Sequence, residues 1–177
     1  MTGTRLNTPL QPRITMRSSI MLAAIAVFLS APAAHGQDTS YAALQKRGRQ
    51  AMGVDQYTST HKFDALSDGG RIELQSDKGD SVSIATIRGH IRDIAIAFKS
   101  GDFSTPAFVH MQTVPGTKVM AAKHAVITYE PHDLSRGAEL RIRTKDSDAL
   151  AAIHQFMAFQ RSDHHAGGMT GHPPAGR

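Results

Sequence analysis

Apolar positions fall into two rhythms along this chain. In "GDSVSIATIRGHIRDIAIAFKSGD", Ile84, Ile87, Ile91, Ile94 and Phe98 recur at three- and four-residue steps. That spacing puts one buried stripe on a helix. Asp80 or Ser81 suits its N-cap, and Gly101 suits the position just past its end. A second stripe, Leu150, Ile153, Met157 and Gln160, follows Asp146. Before each helix the period changes to two. Ile72 and Leu74 alternate with Arg71, Glu73 and Gln75, and Leu140 and Ile142 alternate with Arg141 and Arg143. Each run has one apolar and one wet face, as in a half-buried strand. Turn signals at Asp68-Gly69-Gly70 and Ser135-Arg136-Gly137 set a further strand before each.

The pattern therefore occurs twice, as strand, strand, helix. "GGRIELQS" and "SVSIATI" correspond to "GAELRIRT" and "DALAAI", and Asp80 and Asp146 each precede an isoleucine by seven residues. Neither copy can bury its stripe and sheet face alone. The expected fold is α+β: duplicated ββα units, residues 57–100 and 124–162, forming a four-stranded antiparallel sheet with two helices on one face. Whether the copies pair within one chain or between two chains is left open. Tyr41, Leu44 and Met52 predict a short helix in residues 37–56, ending at Gly53. The stretch "FSTPAFVHMQTVPGTKVMAA", broken by Pro106 and Pro115-Gly116, reads as a long, partly ordered connection.

The first 36 residues follow another logic. Arg5, Arg13 and Arg17 precede the apolar run "SIMLAAIAVFLSA" and then "PAAHGQ". That order is a secretory signal's, with cleavage after Ala33 or after Gly36. The run is short of the roughly 20 residues that span a bilayer. The expectation is a periplasmic or secreted chain with no stable membrane insertion after signal removal. Three arginines leave with the signal, so 17 basic residues face 15 acidic ones and the net charge is near +2. Nothing in that balance calls for nucleic acid.

The segments "MGVDQYTSTHKF", "GDFSTPAFVH", "PGTKVM" and "AIHQFMAFQRSDH" resemble a family of small exported bacterial proteins of unestablished function, over residues 52–165. Some of its members carry the label aspartate carbamoyltransferase. The chain has no Ser-Thr-Arg-Thr phosphate loop and is shorter than that enzyme's two domains. The resemblance implies an exported protein and transfers no functional residue.

Hydrolase elbows, His-Glu-x-x-His, phosphate loops and dinucleotide fingerprints are missing from the sequence. Cysteine is missing too, so soft-metal chemistry falls to histidine and methionine. One candidate metal set is the tail, residues 164–177, with His164, His165, Met169 and His172 among flexible glycines. His110 with Met111 is a further ligand pair. His61, His90, His110 and His154 are the pocket candidates, where a sheet-helix boundary folds under residues 103–120. His61 shares a strand face with Phe63. Arg141, Arg143 and Lys145 offer an outer sheet face to a protein partner, although a solvated face explains them as well. The leading expectation is a metal-binding accessory or buffering protein, copper first, and not an enzyme. The alternatives are a non-enzymatic binding module using the sheet face or that pocket, and a small hydrolase-like enzyme with a histidine base.

Overall fold

A computed structural model of the chain describes residues 1–2 and 35–167. The chain divides into two compact units, Met1–Ala33 and Ala34–Arg177, and the described residues fall almost wholly in the second. Most of the expected signal segment, residues 3–34, therefore lies outside the described residues, as do Met169 and His172.

Helix α1 (His35–Met52) leads into a 3-10 turn (Gln56–Thr58), then β1 (Ser59–Leu66), β2 (Gly69–Ser76) and α2 (Ser81–Lys99). Two short helices follow, α3 (Ser104–His110) and α4 (Thr117–Ala122). The chain then repeats itself through β3 (Ile127–Leu134), β4 (Gly137–Thr144) and α5 (Ser147–Asp163). The four strands are antiparallel in the order β1-β2-β4-β3, within one chain.

The duplication holds in the register. Each strand of the second copy starts 68 residues after its counterpart, at Ser59 and Ile127 and at Gly69 and Gly137. The seam pairs Ile72 with Leu140 and Glu73 with Glu139, which is the pairing a local two-fold axis requires. The helices start only 66 residues apart, at Ser81 and Ser147, because the second link is two residues shorter. Both helices are capped by the expected aspartates. Asp80 accepts from the Ser83 amide, and Asp146 accepts from the amides of Asp148 and Ala149.

The core lies between the sheet and the two long helices. Ile87, Ile91, Ile94 and Phe98 of α2 meet Leu74, Leu140 and Ile142 from the sheet, and Ile153, Phe156 and Met157 of α5. Phe98 stacks on Phe103 at 4.3 Å and meets Phe156 edge-on at 5.9 Å. Two stripe residues are corrected. Ile84 and Leu150 are only partly buried; on α5 the buried face is Ala149, Ala152, Ile153, Phe156, Met157 and Gln160.

The middle segment is also corrected. Residues 103–122, expected to be a partly ordered connection, contain two regular helices, α3 and α4. Pro106 falls in the first turn of α3, where no intrahelical donor is lost. Val114 and Met120 are fully buried and tie the segment to the core. Gly116, at φ 84°, lets α4 approach the Ala152 backbone of α5.

Arg71, Arg141 and Arg143 do face outward, but each meets carboxylates there. Arg71 binds Asp64 at 2.5 Å and also faces Glu73 and Glu139. Arg141 binds Asp68, and Arg143 binds Glu130. A face so paired offers an acidic partner little unneutralised charge. Among the described residues no helix is long and apolar enough to cross a membrane.

Candidate functional site

One end of the core does not close. A cavity of about 80 Å³ remains between α1, the β1–β2 hairpin, α2, α3 and the end of α5. Its walls are mainly apolar, from Phe63, Ile91, Ile94, Val109 and Phe156, yet His61, His90, His110 and His164 also line it. Three of the four pocket candidates therefore converge. His154 does not join them, because its Nε2 bonds to the Leu66 carbonyl at 2.8 Å, beyond this cavity. The fourth wall histidine is His164, expected in a flexible tail.

That expectation is corrected for the first residues of the tail. α5 carries the chain to Asp163, and His164 caps it and turns its ring into the cavity. His165 stacks on Tyr41 with centroids 4.6 Å apart. The Phe63 amide donates to the Gly167 carbonyl at 2.9 Å, so the segment is laid along the edge of β1. These contacts hold residues that composition alone marks as loose.

The rings of His61, His110 and His164 touch. His164 lies parallel to His61 at 5.9 Å and edge-on to His110 at 4.9 Å. Burial pushes His164 down to about 3, helped by the neighbouring charges that His110, His61 and His165 would carry. Burial likewise lowers His61 to about 4, with His90 adding to the shift. His90 is lowered by burial as well, against the pull of Asp93. An imidazolium in this apolar space would lose more hydration than the nearby Asp77 and Asp93 give back. All three rings are therefore neutral at pH 7, each with one N–H and one lone pair.

Their partners show where the lone pairs point. His164 places Nδ1 3.3 Å from the Gln56 carbonyl oxygen, so Nδ1 carries the proton and Nε2 is the bare nitrogen. His61 places Nε2 3.5 Å from the Met52 sulfur and forms a hydrogen bond with the Ser59 backbone. A thioether only accepts, so bonding to Met52 puts the proton on Nε2, whereas donating from Nδ1 toward Ser59 leaves Nε2 bare beside the sulfur. In the second tautomer His61 Nε2 and the Met52 sulfur both offer lone pairs on the wall of a cavity that His164 also lines. Anchoring the distal N–H on a carbonyl is how proteins orient metal-binding imidazoles.

His110 is committed elsewhere. Its Nδ1 meets Asp163 Oδ2 at 2.5 Å and its Nε2 meets the Gln160 side-chain oxygen at 3.1 Å. Its side chain is 1% exposed. Both ring nitrogens are used inside the protein, which leaves none for a substrate or an ion. Met111 is no partner for it, since it terminates α3 at φ 52° and is 69% exposed. His110→Ala is expected to destabilise the protein by about 3 kcal/mol, because it empties a packed site and strands the buried Gln160 amide. Urea midpoints read this directly, and His110→Gln should recover part of the loss.

Three site residues were absent from the sequence reading. Met52 was assigned only to a helix stripe, Gln56 to a linker, and Asp163 to a helix end. Gln56 Nε2 is buried without a partner in the same region. Among the described residues no group of three or more His, Asp or Glu side chains stands ready to hold one ion. No protein-family model, curated protein or solved structure matches the chain.

Proposed function

We propose that this chain is an exported accessory protein that holds Cu(I) in the histidine cavity, and not on Met169 and His172 of its C-terminal tail. The observation that supports this is the His61 Nε2 atom 3.5 Å from the Met52 sulfur, on the wall of a cavity that His164 also lines. A first-row ion about 2.0 Å from nitrogen and about 2.3 Å from sulfur would close that gap at a near-tetrahedral angle. The donors are all neutral and one is soft, which favours Cu(I) over harder ions. A divalent ion would bring two charges into an apolar space with no carboxylate among its lining residues. Export is the natural setting, since the arginine, apolar and small-residue order of residues 5–36 is that of a secretory signal.

Anaerobic titration of the full chain with Cu(I), in competition with a chromophoric chelator, tests this. One ion per chain is expected. Met52→Leu keeps the volume and removes the sulfur, and should weaken binding by about tenfold or more. The double variant Met169→Leu, His172→Gln should bind as the parent does. No binding, or binding that survives Met52→Leu and is lost in the tail variant, would overturn the reading.

A second reading has its own support. The orphaned Gln56 Nε2 donor beside an apolar cavity suits a small organic molecule with one acceptor group. Such a ligand would bind the metal-free chain and be indifferent to Met52→Leu.

A further inference from the structure

A second cavity, about 410 Å³, lies on the other side of His110. Its walls are polar and include Tyr41, Arg47, Gln112, Asp163 and His165. Arg47 reaches it from α1. Its Nε donates to the Val109 carbonyl at 2.7 Å, which fixes the plane of the guanidinium. Among the described residues its terminal nitrogens have no carboxylate partner, in contrast to Arg71, Arg141 and Arg143. Opposite in charge is Asp163, which gives Oδ2 to His110 and keeps its other oxygen in a side chain that is 37% exposed. A flat wall completes the cleft, the His165 ring lying on Tyr41 at 8° between planes. Of the two described non-glycine residues with left-handed backbones, His165 lines it, and Met111 sits in the chain between the lining residues His110 and Gln112. Such a conformation is costly and persists where the surroundings hold it in place.

We infer that this cleft binds a small zwitterion of the α-amino acid type, its carboxylate on Arg47 and its ammonium on Asp163. A guanidinium presents two parallel N–H groups that match a carboxylate. The charges of the cleft decide between ligand classes. A phosphate dianion would meet Asp163 as well as Arg47, and a simple amine would meet Arg47 as well as Asp163. Only a molecule carrying both signs has each charge answered. The stacked rings of Tyr41 and His165 favour a planar side chain lying along them. The inference is independent of copper, because none of Met52, His61 and His164 lines this cleft.

Nuclear magnetic resonance of the full chain, titrated separately with phenylalanine, acetate, methylamine and inorganic phosphate, tests it. Phenylalanine should shift the resonances of Tyr41, Gln112 and His165 at millimolar concentration. Acetate and methylamine should bind at least about tenfold more weakly, each having half the contacts. Arg47→Lys keeps the charge and loses the fork, and Asp163→Asn keeps the shape and loses the charge. Each should weaken phenylalanine by about tenfold while the remaining spectrum shows an intact fold. Shifts absent with phenylalanine, phosphate binding more tightly than phenylalanine, or affinity unchanged in both variants would each overturn the inference.

Discussion

Acidification is expected to unfold this protein well above the pH at which its carboxylates titrate. His61 and His164 fold neutral, with values near 4 and 3, whereas both take up a proton near 6.5 once unfolded. Between those limits the unfolded chain binds more protons than the folded one, so stability falls as the pH falls. The loss begins near pH 6.5, ends near 4 for His61 and ends near 3 for His164. Each histidine contributes about 1.4 kcal/mol per pH unit of its window. The two windows together amount to roughly 8 kcal/mol, which is comparable to the whole stability of an ordinary domain. His90 acts in the same direction, and Asp77 near His61 and Asp93 near His90 oppose it weakly. The check is the urea midpoint as a function of pH. It should decline from pH 6.5 in the parent and decline much less down to about pH 4.5 in a His61→Asn, His164→Asn variant, which keeps only the His90 contribution. A parent profile that is flat from 6.5 to 4.5 would show that these rings are not buried as described.

Alanine at Gly137 should cost about 3 kcal/mol, at the upper end of what overpacking does. The Cβ would press into the Leu74 carbonyl across the seam between β2 and β4. Backbone on both sides leaves nothing soft to yield. Gly69 stands at the same place in the first copy, and its Cβ would strike the Ile142 carbonyl. It has in addition a φ of 152°, where a side chain is strained whatever the space. The Gly69→Ala loss should therefore match or exceed that of Gly137→Ala. By contrast Gly89→Ala meets nothing within 4 Å on α2 and should be neutral or slightly stabilising. Thermal denaturation of the three variants settles the ranking, and equal melting temperatures would contradict the seam geometry.

Both glycines also show what the sequence could tell. They were read as turn residues, whereas the two-residue loops are Ser67-Asp68 and Ser135-Arg136 and the glycines open the strands. The duplicated hairpin and helix were readable because strand alternation and helix spacing are local and occur twice. The Asp80 and Asp146 caps were readable for the same reason. The cavity was readable only in part. His61 announces its face through Phe63 two residues on, and His90 flanks an unmistakable stripe. Met52 and Gln56 carry no such mark, because their role comes from α1 folding back over β1. His164 was misjudged since the residues after it are mainly glycine, histidine, alanine and proline, which carry no packing signal. What fixes it is Tyr41, 123 positions earlier, whose hydroxyl donates to the His164 carbonyl at 3.4 Å. His154 misled in the opposite direction, since spacing places it beside the stripe and only a tertiary contact shows that the Leu66 carbonyl takes it.

The two-fold seam also bears on how the chain reaches its fold. Each hairpin closes over a two-residue loop, and each helix follows its hairpin directly, so either half can organise from contacts near in sequence. The seam is different, because Gly69 must find Arg143 across the intervening chain. That closure carries the large entropy cost, and until it occurs β2 and β4 each present an unpaired edge with nearly the same register code. An edge that pairs with its own repeat by a two-fold rule can also pair with the same edge of another molecule. The slow step of folding is thus also the moment at which two chains can exchange halves, and the two buried glycines stand at the ends of the surface that decides between the outcomes.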